Sequence, residues 1–312
     1  MAKYLIIDSM YLTYRSYYAY GNLTNLERQP TGAFFGYAKT VLQLLNKLDA
    51  DYLAIARDLP EPTLRHKELV EYKANRKPME DNLVSQLPLI DDFCDKITTN
   101  FFSLGGYEAD DIINSLVTKY ASNENEIYIM SGDRDLYQLF IHPNVYFVKE
   151  EKNYVELFGE QDFVKKYELN ANQWVDYKAL IGDGSDNFKG VPGVGPVTAT
   201  KLLQANGSIY NLLGKLNIDN SKFSPGGTGE SDAWIEDKKN ATLIEKIKNN
   251  MPILEQSYML SKLMLCDYTT NPLSKGHTFE NSLELLEKNN MKTLVDYYNK
   301  NFGQKLIQDE LF

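Results

Sequence analysis

Tyr4-Leu5-Ile6-Ile7-Asp8 is an apolar run that ends on a carboxylate, and three later stretches repeat the pattern. Tyr52-Leu53-Ala54-Ile55-Ala56 leads to Asp58. Phe101-Phe102-Ser103-Leu104 leads to Glu108, Asp110 and Asp111, and Ile127-Tyr128-Ile129-Met130 leads to Asp133 and Asp135. Between the first two runs lie a helix through Tyr11 to Tyr20 and another from Thr31 to Leu48, with Phe35, Val41, Leu42, Leu44 and Leu45 at helical spacing. Alternating strands and helices predict an α/β fold, a mainly parallel sheet held between two helical layers. Ligands of such sheets bind beyond the carboxyl ends of the strands, so these acids are expected to share one cleft.

Each acid alone has a plain structural explanation. Glu108, Asp110 and Asp111 open a helix, where the macrodipole favours negative charge, and Asp133 and Asp135 suit a turn followed by a helix start. Recurrence at successive strand ends exceeds what caps and turns require. Carboxylates within about 4–6 Å of one another cannot all stay ionised without a cation among them. Oxygen ligands without His or Cys point to Mg²⁺ or Mn²⁺, and so to metal-dependent phosphoryl transfer.

The chain has 312 residues, 43% of them hydrophobic, enough for one large and one smaller buried core. Cys94 and Cys266 stand far apart and outside ligand spacing, which suits a reducing compartment. No stretch has the length of a signal peptide or a membrane span, so a cytoplasmic protein without membrane contact is expected. The net charge of -10 does not exclude a nucleic-acid partner. Nine acids belong to the candidate site, Asp183 and Asp186 among them, and the remainder is close to neutral.

From Asp58 to Pro78 the pattern breaks into DLPEPTLRHKELVEYKANRKP, with Arg65, Lys67, Lys73, Arg76 and Lys77 around Tyr72. Met79 to Ile97 reads as one helix, Glu160 to Tyr167 and Ala171 to Ile181 as short helices, and the second half as mainly helical. Leu180 to Ala199 reads LIGDGSDNFKGVPGVGPVTA. Its Gly193-Val194-Gly195 turn precedes a helix-forming run and presents backbone amides to a phosphate, while Asp183 and Asp186 lie just upstream. Alone, the segment would pass for a glycine-rich turn between core helices; it has neither the Gly-Lys-Ser/Thr ending of a nucleotide loop nor a strand before it.

With these stretches in hand, the chain resembles the 5′-nuclease superfamily, the flap endonucleases and the 5′→3′ exonuclease domains of bacterial DNA polymerase I and of phages. LIIDSMYLTYRSYYA, RDLPEPTLRHKELVEYKANRKPM, GYEADDII, SGDRDLYQL and DYKALIGDGSDNFKGVPGVGPVTATKLL occur in family order, and a weaker likeness continues to about Leu273. The resemblance implies a PIN-like core over residues 1–170, with a helical arch at about 60–97. A helical region with a helix–hairpin–helix would follow over 171–300, then a tail over 301–312. It implies two metal ions about 4 Å apart that activate water and stabilise the leaving oxygen. Asp8, Asp58, Glu108 and Asp110 would hold one, Asp133, Asp135, Asp183 and Asp186 the other, with Asp111 in support. A K⁺ ion is expected at the helix–hairpin–helix.

By the same resemblance, Lys73 and Arg76 on a helical face of the arch act on the scissile phosphodiester, and Tyr72 stacks on a base or sugar. Arg15, Arg65, Lys189, Gly193, Gly195 and Lys201 are expected DNA contacts. The chain departs from the family pattern at Ser9, Arg57, Lys189 and Val197, the last removing a phosphate cation. The polar insert from Asn217 to Trp234 reads as a surface loop. Ending at Phe312 without a polymerase domain, the chain is expected to act as a monomeric structure-specific 5′-nuclease on flapped DNA and RNA primers. Gln308, Leu311 and Phe312 resemble a peptide that docks on the sliding clamp, against the simpler reading of a packed terminal helix. The competing functions are a PIN-type ribonuclease and a non-catalytic junction-binding protein.

Overall fold

The computed structural model describes residues 1–152, 154–227, 232–266 and 272–302. Gln308, Leu311 and Phe312 lie outside the described residues, as does part of the 217–234 insert.

Six strands form the main sheet: β1 (Ala2–Asp8), β2 (Tyr52–Ala56), β3 (Phe101–Phe102), β4 (Asn125–Met130), β5 (Val145–Glu150) and β6 (Val155–Phe158). Their order is β3-β2-β1-β4-β5-β6, parallel except for β6, which pairs antiparallel to β5. Four of these strands match the apolar runs of the sequence; β5 and β6 are additional. Their apolar residues are interrupted by Lys149, Glu150 and Glu156, as befits strands at the margin of a sheet. The expected third strand is cut to Phe101–Phe102, because Gly105 and Gly106 turn the chain, Gly106 with a φ of 82°.

The helices are α1 (Ser9–Tyr20), α2 (Gly32–Leu48), α3 (Arg65–Glu68), α4 (Asp81–Val84), α5 (Leu87–Ile97), α6 (Ala109–Tyr120), α7 (Glu160–Tyr167) and α8 (Trp174–Ile181). They continue as α9 (Pro196–Asn206), α10 (Ile209–Lys215), α11 (Asp232–Glu236), α12 (Ala241–Asn249), α13 (Met251–Ser261), α14 (Leu283–Lys288) and α15 (Lys292–Asn301). Side chains alternate across the central strands and build two cores. Tyr4, Ile6, Ala54, Ile127 and Ile129 pack towards α6 and α8; Leu5, Ile7, Leu53, Ile55 and Met130 pack towards α2 and α5. This is the expected α/β/α sandwich.

Three segments differ from expectation. The Met79–Ile97 helix is broken into α4 and α5, since Pro88 is tolerated only in a first turn. The break frees buried Gln86, whose Oε1 accepts the Ala33 N–H at 2.8 Å and caps α2 from a distance. Residues 283–301, expected in the helical second part, return to the core: Leu286, Leu294 and Tyr298 pack with α2 and α5. The insert is anchored where it is described. Phe223 is buried with its ring 4.8 Å from that of Tyr258, whose hydroxyl accepts the Ser224 N–H at 2.9 Å.

Two departures from the family pattern have local partners. The Ser9 hydroxyl lies 3.1 Å from that of Tyr37, and Arg57 forms an ion pair with Asp91 on α5.

Candidate active site

Parallel register places the ends of β1, β2 and β4 side by side, and the acids meet there. Asp8 ends β1 and caps α1: its Oδ1 accepts the Tyr11 N–H at 3.0 Å and its Oδ2 the Ser131 hydroxyl at 2.7 Å. Asp58, just past β2, accepts the Ala109 N–H at 2.8 Å at the start of α6. Asp8, Asp58, Glu108, Asp110 and Asp133 line one cleft of about 330 Å³, together with Lys73, Arg76, Tyr11 and Tyr14. Asp133 also lines a neighbouring cleft of about 520 Å³, with Lys178, Asp183 and Pro196. It stands between the two.

The expected division of acids into two metal sets does not follow these clefts, because Asp133 faces Asp8 and Asp110. What separates the acids is charge compensation. Glu108 Oε1 is 2.7 Å from the Lys73 ammonium; Asp186 accepts from Arg76 at 2.8 Å and from the Tyr72 hydroxyl at 3.0 Å. Lys178 lies 2.6 Å from Asp135 Oδ1 and also pairs with Asp183, whose other oxygen accepts the Ser185 N–H at 2.7 Å. Among the described residues, Asp8, Asp58, Asp110 and Asp133 make no such ion pair.

Asp8, Asp58, Asp110 and Asp135 hold their protons more tightly than a free carboxyl does. Burial, with repulsion from Asp58 and Asp133, pushes Asp8 up to about 7 against the hydrogen bonds from Tyr11 and Ser131. Burial raises Asp110 well above the usual carboxylate range, aided by Asp133 and Asp8. Burial raises Asp58 as well, and drives Asp135 to about 7 despite Lys178. Burial works against ionising Asp183, yet Lys178 and Ser185 outweigh it and hold this carboxyl down at about 2.

An all-oxygen set of buried, mutually repelling carboxylates fits a hard divalent cation. As the side chains stand, no three His, Cys, Asp or Glu groups among the described residues are gathered tightly enough to hold one. Lys73, Arg76 and Lys178 occupy the ground between them. Lys178 was missed in the sequence, where a lysine within a helical ALIGD context reads as solvated. Its place five residues before Asp183 is the signal that could have singled it out; its burial on α8 is set by the tertiary structure.

Four expected roles need correction. Arg65 is buried and gives two hydrogen bonds to Asp111 and others to the Leu260 and Lys262 carbonyls, so its guanidinium is not offered to a phosphate. Asp111, wholly buried, also accepts the Glu108 and Met264 N–H groups and has no oxygen left for a metal. Tyr72 is buried, its hydroxyl shared between Glu108 and Asp186, and is not placed to stack on DNA. Lys73 and Arg76 do not share a helical face, since Lys73 has a φ of 58° and the chain beyond α3 runs through turns.

These turns fold onto the 183–187 loop. The Lys73 N–H donates to the Asp186 carbonyl at 3.0 Å, Asn75 Nδ2 to the Gly184 carbonyl at 2.6 Å, and Asn187 Nδ2 to the Glu71 carbonyl at 2.7 Å. Arg15 reaches the Glu150 carbonyl at the end of β5, at 3.3 Å. Gly193 takes a φ of 75° in the turn, and Gly195 caps α9, whose first residue is Pro196. Lys189 and Lys201 are exposed. A Cβ on Gly193 would lie 2.8 Å from Lys246 Nζ, so α12 brings to the turn a cation from more than fifty residues away in the chain.

Comparison with known proteins agrees with this architecture. Residues 3–168 match the N-terminal resolvase-like domain of 5′-3′ exonucleases, and residues 169–271 match their C-terminal SAM fold. The 5′-3′ exonuclease of Mycoplasmopsis pulmonis is 36% identical over 218 residues, covering 70% of this chain and 71% of that protein. That of Aquifex aeolicus is 34% identical, covering 68% and 73%. The DNA polymerase I of Caldicellulosiruptor bescii is 34% identical over 80% of this chain, but the match spans only 30% of that longer protein.

Among solved structures, the bacteriophage T5 D15 protein co-crystallised with metal ions shares the fold, with a TM-score of 0.63 and 19% identity over 84% of this chain and 89% of that one. The catalytic core of Rad2 in complex with DNA substrate gives a TM-score of 0.55 and 16% identity over 97% and 88%. With both family domains matched in order, and with relatives of similar length matched over most of their sequence, the chain belongs to the 5′-3′ exonuclease family.

Proposed function

We propose that this chain is a divalent-metal-dependent nuclease that hydrolyses phosphodiesters near the 5′ ends and flaps of branched DNA, RNA primers included, as a monomer. The observation that carries this reading is the meeting of Asp8, Asp58, Glu108, Asp110 and Asp133 in one cleft beside Lys73 and Arg76. Asp8, Asp58, Asp110 and Asp133 would hold a first ion and Asp135, Asp183 and Asp186 a second, with Mg²⁺ or Mn²⁺ supplying Lewis acidity when bound. Lys73 and Arg76 would exchange their carboxylate partners for the phosphodiester and draw off its developing charge. Tyr72 would act as a positioning residue, holding Glu108 and Asp186 through its hydroxyl.

The amides at Gly193 and Gly195, with Lys189, Lys201 and Lys246 nearby, suit the backbone of the downstream duplex, and a K⁺ ion would fit the same turn. The sequence of the tail, with Gln308, Leu311 and Phe312, supports recruitment by a sliding clamp. The decisive assay uses a 5′-flap duplex labelled at the flap, incubated with Mg²⁺, with Mn²⁺ and with a chelator. Cleavage only with metal, leaving 5′-phosphate ends, is expected. Cleavage of single-stranded RNA alone would favour the PIN-type ribonuclease, and tight flap binding without cleavage would favour the junction-binding protein.

A further inference from the structure

Lys178 is a cation built into the second half of the acidic site. Its side chain is buried on α8, and its ammonium bridges Asp135, beyond β4, to Asp183, in the short strand β7 (Gly182–Asp183). The remaining oxygen of Asp183 is engaged by the N–H and hydroxyl of Ser185, so both oxygens of this carboxylate already have partners while Lys178 stays in place. Asp8, Asp58, Asp110 and Asp133 are in the opposite condition. Four carboxylates line one cleft without an ion pair to any described basic residue. The two halves therefore present unequal fields to an incoming cation. One is an open cleft lined by carboxyls without a basic partner; the other already holds an internal ammonium.

We propose that Lys178 competes with the second divalent ion for Asp135 and Asp183, so that the chain loads its two cation positions in sequence and the second opens only when Lys178 gains another anionic partner. The inference rests on the nuclease reading above. Lys178 borders the cleft that Pro196, the first residue of α9, also lines. A DNA phosphate entering that cleft would give the displaced ammonium a partner close by, which couples filling of the second position to arrival of substrate. An ammonium between two carboxylates leaves one negative charge, whereas a divalent ion there leaves none. Exchange is thus favoured electrostatically once the lysine no longer has to be stranded without a counter-ion.

The test is calorimetric titration of the DNA-free protein with Mn²⁺ alone, in wild type and in Lys178→Met, whose apolar chain keeps most of the volume. Wild type should bind one ion tightly and a second at least about tenfold more weakly; in Lys178→Met the second should tighten by about tenfold or more. Equal second-site affinity in the two proteins overturns the proposal and leaves the nuclease reading intact. Absence of any Mn²⁺ binding by wild type overturns both. Should Lys178→Met fail to fold, wild type with ¹⁵N-labelled lysines decides. The Lys178 ammonium signal should shift only in the second phase of a Mg²⁺ titration, and a signal unmoved at saturation overturns the proposal.

Discussion

Arg65 and Asp111 meet through two parallel hydrogen bonds of 2.7 and 2.8 Å, and both side chains are buried. The pair ties α3, at the foot of the basic segment, to the first turn of α6, and through the Leu260 and Lys262 carbonyls and the Met264 N–H to the end of α13. Burial alone would lower the basicity of Arg65, but Asp111 and Glu108 reverse that and hold it charged. Its task is structural.

Arg65→Ala strands the Asp111 carboxylate in the interior and should cost about 3–5 kcal/mol of stability. Urea unfolding measures it. Arg65→Met combined with Asp111→Leu should recover most of the loss, and an Arg65→Ala protein as stable as wild type but weak in DNA binding would restore the phosphate-contact role.

Asp133→Asn keeps the oxygen that accepts the Asp135 N–H at 2.8 Å and removes only the charge shared by the two clefts. Turnover on a 5′ flap should fall by orders of magnitude, with flap affinity nearly unchanged. Near-normal turnover at limiting Mg²⁺ would remove Asp133 from the metal set.

At Lys73 the backbone and the side chain can be tested apart. The residue sits in the left-handed region, so Lys73→Gly should be more stable than Lys73→Ala by about 1 kcal/mol. Both should slow single-turnover cleavage alike, because both lose the ammonium. A change confined to affinity and its salt slope would make Lys73 a positioning contact.

Asp176 allows a test of pH dependence away from the catalytic acids. Burial pushes its carboxyl up to about 7, against the hydrogen bond it accepts from the Ile209 N–H at 2.9 Å. A carboxyl whose pKa is higher folded than unfolded binds its proton more tightly in the folded state. Its stabilisation is full below the unfolded carboxylate range, near 4, and is lost as the pH rises through about 7. Wild type should therefore melt at a lower temperature at pH 8 than at pH 5, and Asp176→Asn should narrow the gap. Asp8 and Asp135, also raised to about 7, add to the gap, and saturating Mg²⁺ should reduce their part.

Lys246→Ala should weaken binding to duplex uniformly across sequences and lower the salt slope by about one, if Lys246 at the Gly193 turn meets a phosphate. An unchanged slope would exclude that contact.

The order of strands and acids was legible in the sequence because it depends on local period and on parallel topology. An apolar run of a few residues ending on Asp8 or Asp58 can be read without knowing its neighbours, and the right-handed crossover rule then brings the strand ends together. Whether an acid is free or already paired is decided by residues distant in the chain. Asp111 is consumed by Arg65, 46 residues away; Asp186 by Arg76, at a separation of 110; and Tyr72, which looks like a stacking platform in sequence, is buried between Glu108 and Asp186. The helix expected from Met79 to Ile97 breaks ahead of Pro88, and the break lets Gln86 reach across the core to the start of α2. Local composition determined which groups could carry the chemistry. Only tertiary packing, which sets burial and the distance to a counter-charge, decided which of them remain available to do so.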